Sequence, residues 1–286
     1  MIFLISTIEP RRLNLLAQMI AHYRSLGVDR FLFTLHLDPG NDLETNSTGR
    51  KVFESILSRF GIAESFYCDV PFDSDDFYHH KDNLQWKLVS AEDWIVWADS
   101  DEFQKYPAPI SEIVRINERK NVNYLRGILI DRVGPDGSLP KFDPSSSIWE
   151  QYPVCCAVTH SIAKGYNIKV ALAQGWMQVT YGHHMPAAIE PARAAPMRIA
   201  VADHPELRTT PGVVQVHHFK WEAGVIDRLR ERVTPEMQST HAHWVESQRL
   251  LDYFESNGNC FGARDLQKLE LPNDKFLIFN NAQGNG

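Results

Sequence analysis

Cysteine is scarce in this chain: Cys68, Cys155, Cys156 and Cys260 are the only four in 286 residues. No two of them stand in C-x-x-C spacing, which excludes a disulfide framework, a cysteine-rich zinc site and a dithiol redox motif. That usage reads as a reducing compartment, and a cytoplasmic location is expected. Long apolar runs are missing too, since no stretch reaches the roughly 18–20 residues that a spanning helix requires. Met1 to Ile5 is apolar, but no basic segment precedes it and Glu9 follows, so no signal peptide is read. With no transmembrane segment, only a peripheral membrane contact stays open, and the sequon Asn46-Ser47-Thr48 has no secretory context. Positive charge is also short. The 29 Lys and Arg against 36 Asp and Glu give a net charge of −7, which argues against a broad nucleic-acid surface, so nucleic acid is not an expected partner. Neither G-x-x-x-x-G-K-[ST] nor G-x-G-x-x-G occurs, and P-loop and dinucleotide-binding readings therefore lack their phosphate cradle.

What is present is a globular composition, 43% hydrophobic and 23% charged, with enough apolar side chain for a core and too much for disorder. Ile2–Ile5 is a short continuous apolar run, the pattern of a buried parallel strand. A helix follows from Pro10, carrying Leu16, Met19, Ile20, Tyr23 and Leu26 on one face and stopping at Gly27. The unit repeats: a strand at Phe31–Leu37, a helix with Val52, Phe53, Ile56, Leu57 and Phe60 closing on Gly61, and a strand at Ile62–Cys68. An acidic, aromatic loop is expected from Asp69 to Asp82, then a helix through Leu84, Leu88 and Val89, and a fourth strand, Trp94–Ala98, running into Asp99-Ser100-Asp101-Glu102-Phe103. Beyond Pro107 come a helix (Ile110, Ile113, Val114), a strand at Tyr124–Ile130, a turn at Pro135-Asp136-Gly137, further strands between Val154 and Tyr181, and one at Val213–Val216. Val225, Leu229 and Val233 share a helical face, and Thr234-Pro235 opens a second helix carrying Met237, His241, Trp244, Gln248 and Leu251.

Alternating strands and helices argue a mostly parallel, Rossmann-like α/β sheet flanked by helices. We read one such domain over residues 1–221 and a helical extension over residues 222–286. Ligands of such sheets bind beyond the carboxyl ends of the strands, so Thr7, Glu9, Asp38, Asp99 and Asp101 should converge on one edge. Two carboxylates one residue apart at a strand end can place one oxygen on a divalent metal while the other meets a ribose hydroxyl or a second metal position. Oxygen ligands suit Mg²⁺ or Mn²⁺, which keep positions open for a diphosphate. Twelve histidines, three pairs of them as His79-His80, His183-His184 and His217-His218, raise the same question of metal.

At this point the chain resembles the GT-A glycosyltransferases, in particular the family 2-like and family 92-like bacterial enzymes. The residues that carry the resemblance are Glu9 to Asp42, the segment Asp93 to Phe103 containing D-x-D, Asp131-Arg132 with Asp136-Gly137, Lys169-Val170, Gly182-His183-His184, and His217-His218-Phe219-Lys220-Trp221. The family's Asp-x-Gly-Ser loop is here Asp38-Pro39-Gly40-Asn41-Asp42. The resemblance implies a GT-A-like fold and transfer of a sugar from a nucleoside diphosphate, a UDP-sugar by preference, to a hydroxyl acceptor such as a glycan or glycolipid. It implies Mn²⁺ or Mg²⁺ held by Asp101, with Asp99 on the metal or the ribose. A late histidine, His218 first and His217 second, would be the further ligand or a diphosphate contact.

Local cations must meet the diphosphate of so acidic a protein, and Lys81, Arg132, Lys169 and Lys220 are the candidates, Lys169 and Lys220 foremost. Gln85 joins Thr7, Glu9 and Asp38 as a nucleotide-sugar contact. An inverting transfer needs a carboxylate within reach of the acceptor hydroxyl, for which Asp131 and Glu150 are candidates and Glu222 and Glu190 weaker ones. Trp86, Trp149, Trp176 and Trp221 could stack on a sugar or base, although core packing is the commoner use of tryptophan. A nucleotidyltransferase is the enzymatic rival. Its glycine-rich, basic first loop is absent from Ser6-Thr7-Ile8-Glu9-Pro10-Arg11-Arg12. A degenerate domain that binds glycans or protein is the non-enzymatic one.

Overall fold

The computed structural model describes residues 1–72, 75–187, 209–235, 244–262 and 266. The strands are β1 (Ile2–Ile8), β2 (Arg30–His36), β3 (Phe66–Cys68), β4 (Trp94–Trp97), β5 (Glu102–Lys105), β6 (Tyr124–Val133), β7 (Val154–Cys156), β8 (Ile168–Gln174) and β9 (Thr209–His218). The helices are α1 (Leu13–Ser25), α2 (Leu43–Arg59), α3 (Asp75–Leu88), α4 (Ile110–Arg119), the short α5 (Ile148–Gln151) and α6 (Val158–Ser161), then α7 (Val225–Arg232) and α8 (Trp244–Ser256). Local chemistry sets several boundaries. Asp42 caps α2 by accepting from the Thr45 N–H at 2.7 Å, and the turn after α1 passes through Gly27 at φ 90°, a conformation that favours glycine.

One nine-stranded sheet runs in the order β3-β2-β1-β4-β8-β6-β9-β5, with β7 paired to β6. The pairs β1–β2, β1–β4, β2–β3 and β6–β9 are parallel, whereas β8, β5 and β7 run against their neighbours. Most strands therefore point one way, and helices flank the sheet as the alternating pattern requires. β5 follows β4 in the chain yet lies at the far end of the strand order, so the sheet curls. The Gln104 side chain draws the curl together by donating to the Trp97 carbonyl at 2.7 Å.

Three apolar clusters hold these layers. The largest packs α1 and α2 (Leu16, Met19, Ile20, Phe53, Leu57) on Leu4, Phe33 and Val96. A second covers the opposite face with Phe3, Ile5, Leu32, Ile95 and Trp97. A third joins Trp221, Val225, Leu229, Leu250 and Phe254 to Val133 and Cys156, fixing α7 and α8 beside the ends of β6 and β7. Each large side chain so buried contributes about 1.5–3 kcal/mol. Among the described residues no helix is long and apolar enough to cross a membrane.

Three local expectations change. The loop expected at 69–82 is helical from Asp75, because Phe77 and Leu84 are buried at helical spacing. His79 and His80 thus belong to a helix. The third strand shortens to Phe66–Cys68. Glu102 to Lys105, read as part of a loop, forms β5 against β9. The helix expected from Thr234-Pro235 is seen only from Trp244, because residues 236–243, including Met237, His241 and His243, lie outside the described residues.

Candidate active site at the carboxyl edge of the sheet

Asp99, Ser100 and Asp101 form the tight reversal between β4 and β5, closed by the Glu102 N–H donating to the Asp99 carbonyl at 3.0 Å. Three other elements reach this edge. β8 runs the opposite way and so begins here with Lys169, β9 ends here with His218, and β6 brings Asp131 into register with His218. The two carboxylates of D-x-D enter separate networks.

Asp99 faces cations. Lys169 Nζ lies 3.0 Å from Asp99 Oδ2 and 2.7 Å from Glu102 Oε1. His183 Nδ1 is 3.8 Å from Asp99 Oδ1, and Lys81 donates to His183 Nε2 at 3.4 Å. Burial pushes the Asp99 carboxyl upward, but Lys169, His183 and Lys81 outweigh it and hold it well below the usual range. Glu102, 1% exposed, goes the other way: burial raises it, Asp99 adds to the rise, and Lys169 offsets only part. Burial drives His183 well below its ordinary value, with Lys81 in support. His183 also takes a left-handed backbone, φ 59°, directly after Gly182 at φ 66°, a strained conformation for histidine. Asp99, Glu102 and His183 bring ligand atoms within 4.8 Å of one another and could hold a divalent ion. The Lys169 ammonium already answers both acids there.

Asp101 faces Arg12 and His218. Arg12, 6% exposed, places NH2 3.1 Å from Asp101 Oδ2 and NH1 2.6 Å from Glu222 Oε1. Glu222 also pairs with Arg228 at 3.2 Å, and Arg228 donates to the Lys220 carbonyl. Burial raises the Asp101 carboxyl, but Arg12, His218 and Lys220 together bring it below the usual range. His218 Nε2 stands 3.8 Å from Asp101 Oδ2, while its Nδ1 meets Asp131 Oδ1 at 3.0 Å.

The buried Asp131 accepts three further bonds: Thr159 N–H at 2.6 Å, Thr159 O–H at 2.8 Å and Trp221 Nε1–H at 2.8 Å. These bonds and the nearby His218 overcome the upward push of burial and keep its carboxyl below the usual value. Because a carboxylate only accepts, Asp131 accepts a hydrogen bond from His218 Nδ1 and so turns Nε2, the other ring nitrogen, toward Asp101. An oxygen and a nitrogen so oriented, with the ring held by a second carboxylate, are a donor set that fits a divalent ion.

Lys220, just after β9, forms no ion pair among the described residues. Its ammonium lies 5.2 Å from the Trp221 ring centre. Burial and Arg232 push it down to about 8, against the opposing pull of Asp101, Asp131 and Glu246.

The remaining expected residues fall as follows. Thr7 is the last but one residue of β1, paired with Thr34 of β2. Glu9 pairs with Arg11 at 3.1 Å, and Asp38 closes its own turn by accepting from the Gly40 N–H at 2.8 Å. Gln85 is fully buried and donates to the Gly175 and Met177 carbonyls at 2.8 and 2.7 Å, a strap between α3 and the chain after β8. Asp131, expected to take a proton from an acceptor, has both oxygens engaged at 1% exposure; its geometry supports holding His218 instead. Glu150 is exposed on α5 and forms no ion pair with the cluster. Glu190 lies outside the described residues. His217 is buried, bonds Gln215 at 3.0 Å and meets Trp149 edge-on, so only His218 of that doublet faces Asp101. Arg132 donates to the Tyr152 carbonyl and packs on Trp149 at 5.5 Å, away from the two acids.

The residues missed from sequence are Arg12 and Glu102. Arg12 stands in the same strand-end segment that selected Thr7 and Glu9, so the convergence argument could have included it.

No protein-family model matches the sequence, and the curated proteins give no match. Among solved structures, UTP-bound UGPase from Acinetobacter baumannii is similar at 13% identity over 88% of this chain and 83% of that one, with a TM-score of 0.27. A score that low carries no argument about function.

Proposed function

We propose that this chain is a divalent-metal-dependent glycosyltransferase that moves a sugar from a nucleoside diphosphate, a UDP-sugar by preference, to a hydroxyl acceptor, with inversion. The observation that carries the reading is Asp101 facing Nε2 of His218, whose other nitrogen is held by Asp131. Asp101 and His218 would hold Mn²⁺ or Mg²⁺, which when bound supplies the positive charge that a departing diphosphate requires. Asp131 orients His218 and keeps its proton on Nδ1. Lys220 offers a cation with no carboxylate within salt-bridge distance among the described residues, suited to a phosphate oxygen. Lys169 neutralises Asp99 and so leaves that carboxylate able to accept from a ribose hydroxyl without repelling the diphosphate. Thr7, Glu9 and Asp38 lie at the ends of β1 and β2 on the same edge, where the nucleoside would sit.

The test is an assay with UDP-, GDP- and ADP-sugars plus Mn²⁺, following nucleoside diphosphate release. Release that stops with chelator and in Asp101→Ala is expected. Pyrophosphate exchange with UTP and a sugar phosphate, with no diphosphate release, would replace this reading by a nucleotidyltransferase.

A further inference from the structure

The acid that faces His218 is not otherwise bare, because Arg12 lies on the same oxygen. Its guanidinium forks between two acids, NH2 to Asp101 Oδ2 at 3.1 Å and NH1 to Glu222 Oε1 at 2.6 Å. Arg12, Glu222 and the side chain of Asp101 are all largely withdrawn from solvent, at 7%, 9% and 14% side-chain exposure. Buried charges require partners, and here two arginines, Arg12 and Arg228, balance two acids, Asp101 and Glu222, without any added ion.

We propose that Arg12 competes with a divalent cation for Asp101: its guanidinium pairs with Asp101 Oδ2, and Glu222 retains it when the cation takes that oxygen. This rests on the reading that Asp101 and His218 hold the metal. Arg12 is suited to the exchange because its two nitrogens already engage both acids, so one contact can lengthen while the shorter one persists. Glu222 is anchored in turn by Arg228 at 3.2 Å. The neighbouring Trp221 donates to Asp131, which holds His218. The single segment from His218 to Glu222 therefore supports both halves of the metal pair, one through Asp131 and one through Arg12. Lys169 shows no comparable hand-over, since it is held by Asp99 and Glu102 within one turn of chain.

The experiment is Mn²⁺ titration of the full chain without nucleotide, read by the electron paramagnetic resonance of free Mn²⁺. Arg12→Gln removes the internal competitor and should tighten Mn²⁺ about tenfold; Glu222→Gln leaves Arg12 only Asp101 and should weaken it about tenfold. In the Arg12→Gln background, Glu222→Gln should change affinity less than threefold, because the two act through one contact. Shifts in the same direction, no shift in either variant, or fully additive shifts would each overturn the proposal. Should Arg12→Gln not fold, Glu222→Gln decides alone, with unchanged or tighter binding counting against it. If Asp101→Ala binds Mn²⁺ as the unaltered chain does, the metal reading itself fails, and that outcome is distinct from the others.

Discussion

Replacing Asp131 by asparagine separates holding His218 from every other role, because the side chain keeps its size and loses only its charge and half its accepting capacity. Oδ1 accepts from His218, Trp221 and the Thr159 hydroxyl, and Oδ2 accepts from the Thr159 N–H at 2.6 Å. An asparagine can satisfy the first three with its carbonyl only by turning its NH2 toward the Thr159 N–H, two donors facing each other. One buried donor without a partner costs about 1–3 kcal/mol, and three bonds that lose their charged acceptor weaken by up to about 1 kcal/mol each, so the sum is about 1–6 kcal/mol. The assay is urea unfolding followed by tryptophan fluorescence at pH 7.5. The same variant loosens the His218 ring and should weaken Mn²⁺ by 10–100-fold, the usual effect of losing the group behind a ligating histidine. Loss of less than about 1 kcal/mol with unchanged Mn²⁺ affinity would refute the assignment of Asp131 to His218.

Three further outcomes are expected. His217 is 3% exposed, and burial, then Arg132, Lys105 and His22, push it down to about 2. The folded state thus binds no proton there while the unfolded chain does below about 6.5, so stability falls with pH, by about 2 kcal/mol at pH 5.0. The loss between pH 7.5 and 5.0 should shrink by that amount in His217→Gln, and an identical pH dependence in the two proteins would count against it. Lys169→Met takes the ion-pair partner from the buried Glu102 and from Asp99 and should cost about 3–5 kcal/mol in urea unfolding, whereas Lys220→Met, removing a cation whose burial outweighs the pull of the nearby acids, should leave stability unchanged or raised. Equal losses in the two lysine variants would contradict the distinction drawn between them. Gln85→Leu should lower the melting temperature while leaving nucleotide affinity within a factor of about two, since Gln85 straps backbone carbonyls and spends its donors there; a large drop in nucleotide affinity with no thermal change would restore it as a ligand contact.

The parallel half of the sheet is legible in the sequence because its strands are continuous apolar runs and its helices have apolar faces that no other element explains. β5 is not, since Glu102-Phe103-Gln104-Lys105 has a single apolar residue and becomes a strand only by pairing with β9, more than a hundred residues later. The start of α3 hides in an acidic stretch whose helical spacing begins at Phe77. At the site, D-x-D after a buried strand was readable from neighbours in sequence. Asp131 reads as a candidate base because its donors come from Thr159, His218 and Trp221, far along the chain, and Arg12 does not stand out because its second partner, Glu222, is 210 positions away.

In the proposed function, Asp101 and His218 make nucleotide binding depend on a divalent ion. Calorimetric titration of UDP into the protein with and without Mn²⁺, repeated on Asp101→Ala, addresses it most directly. UDP should bind only with Mn²⁺ present and not to the variant. Binding of equal strength with and without Mn²⁺, or an Asp101→Ala protein that keeps its metal-dependent affinity, would contradict the account.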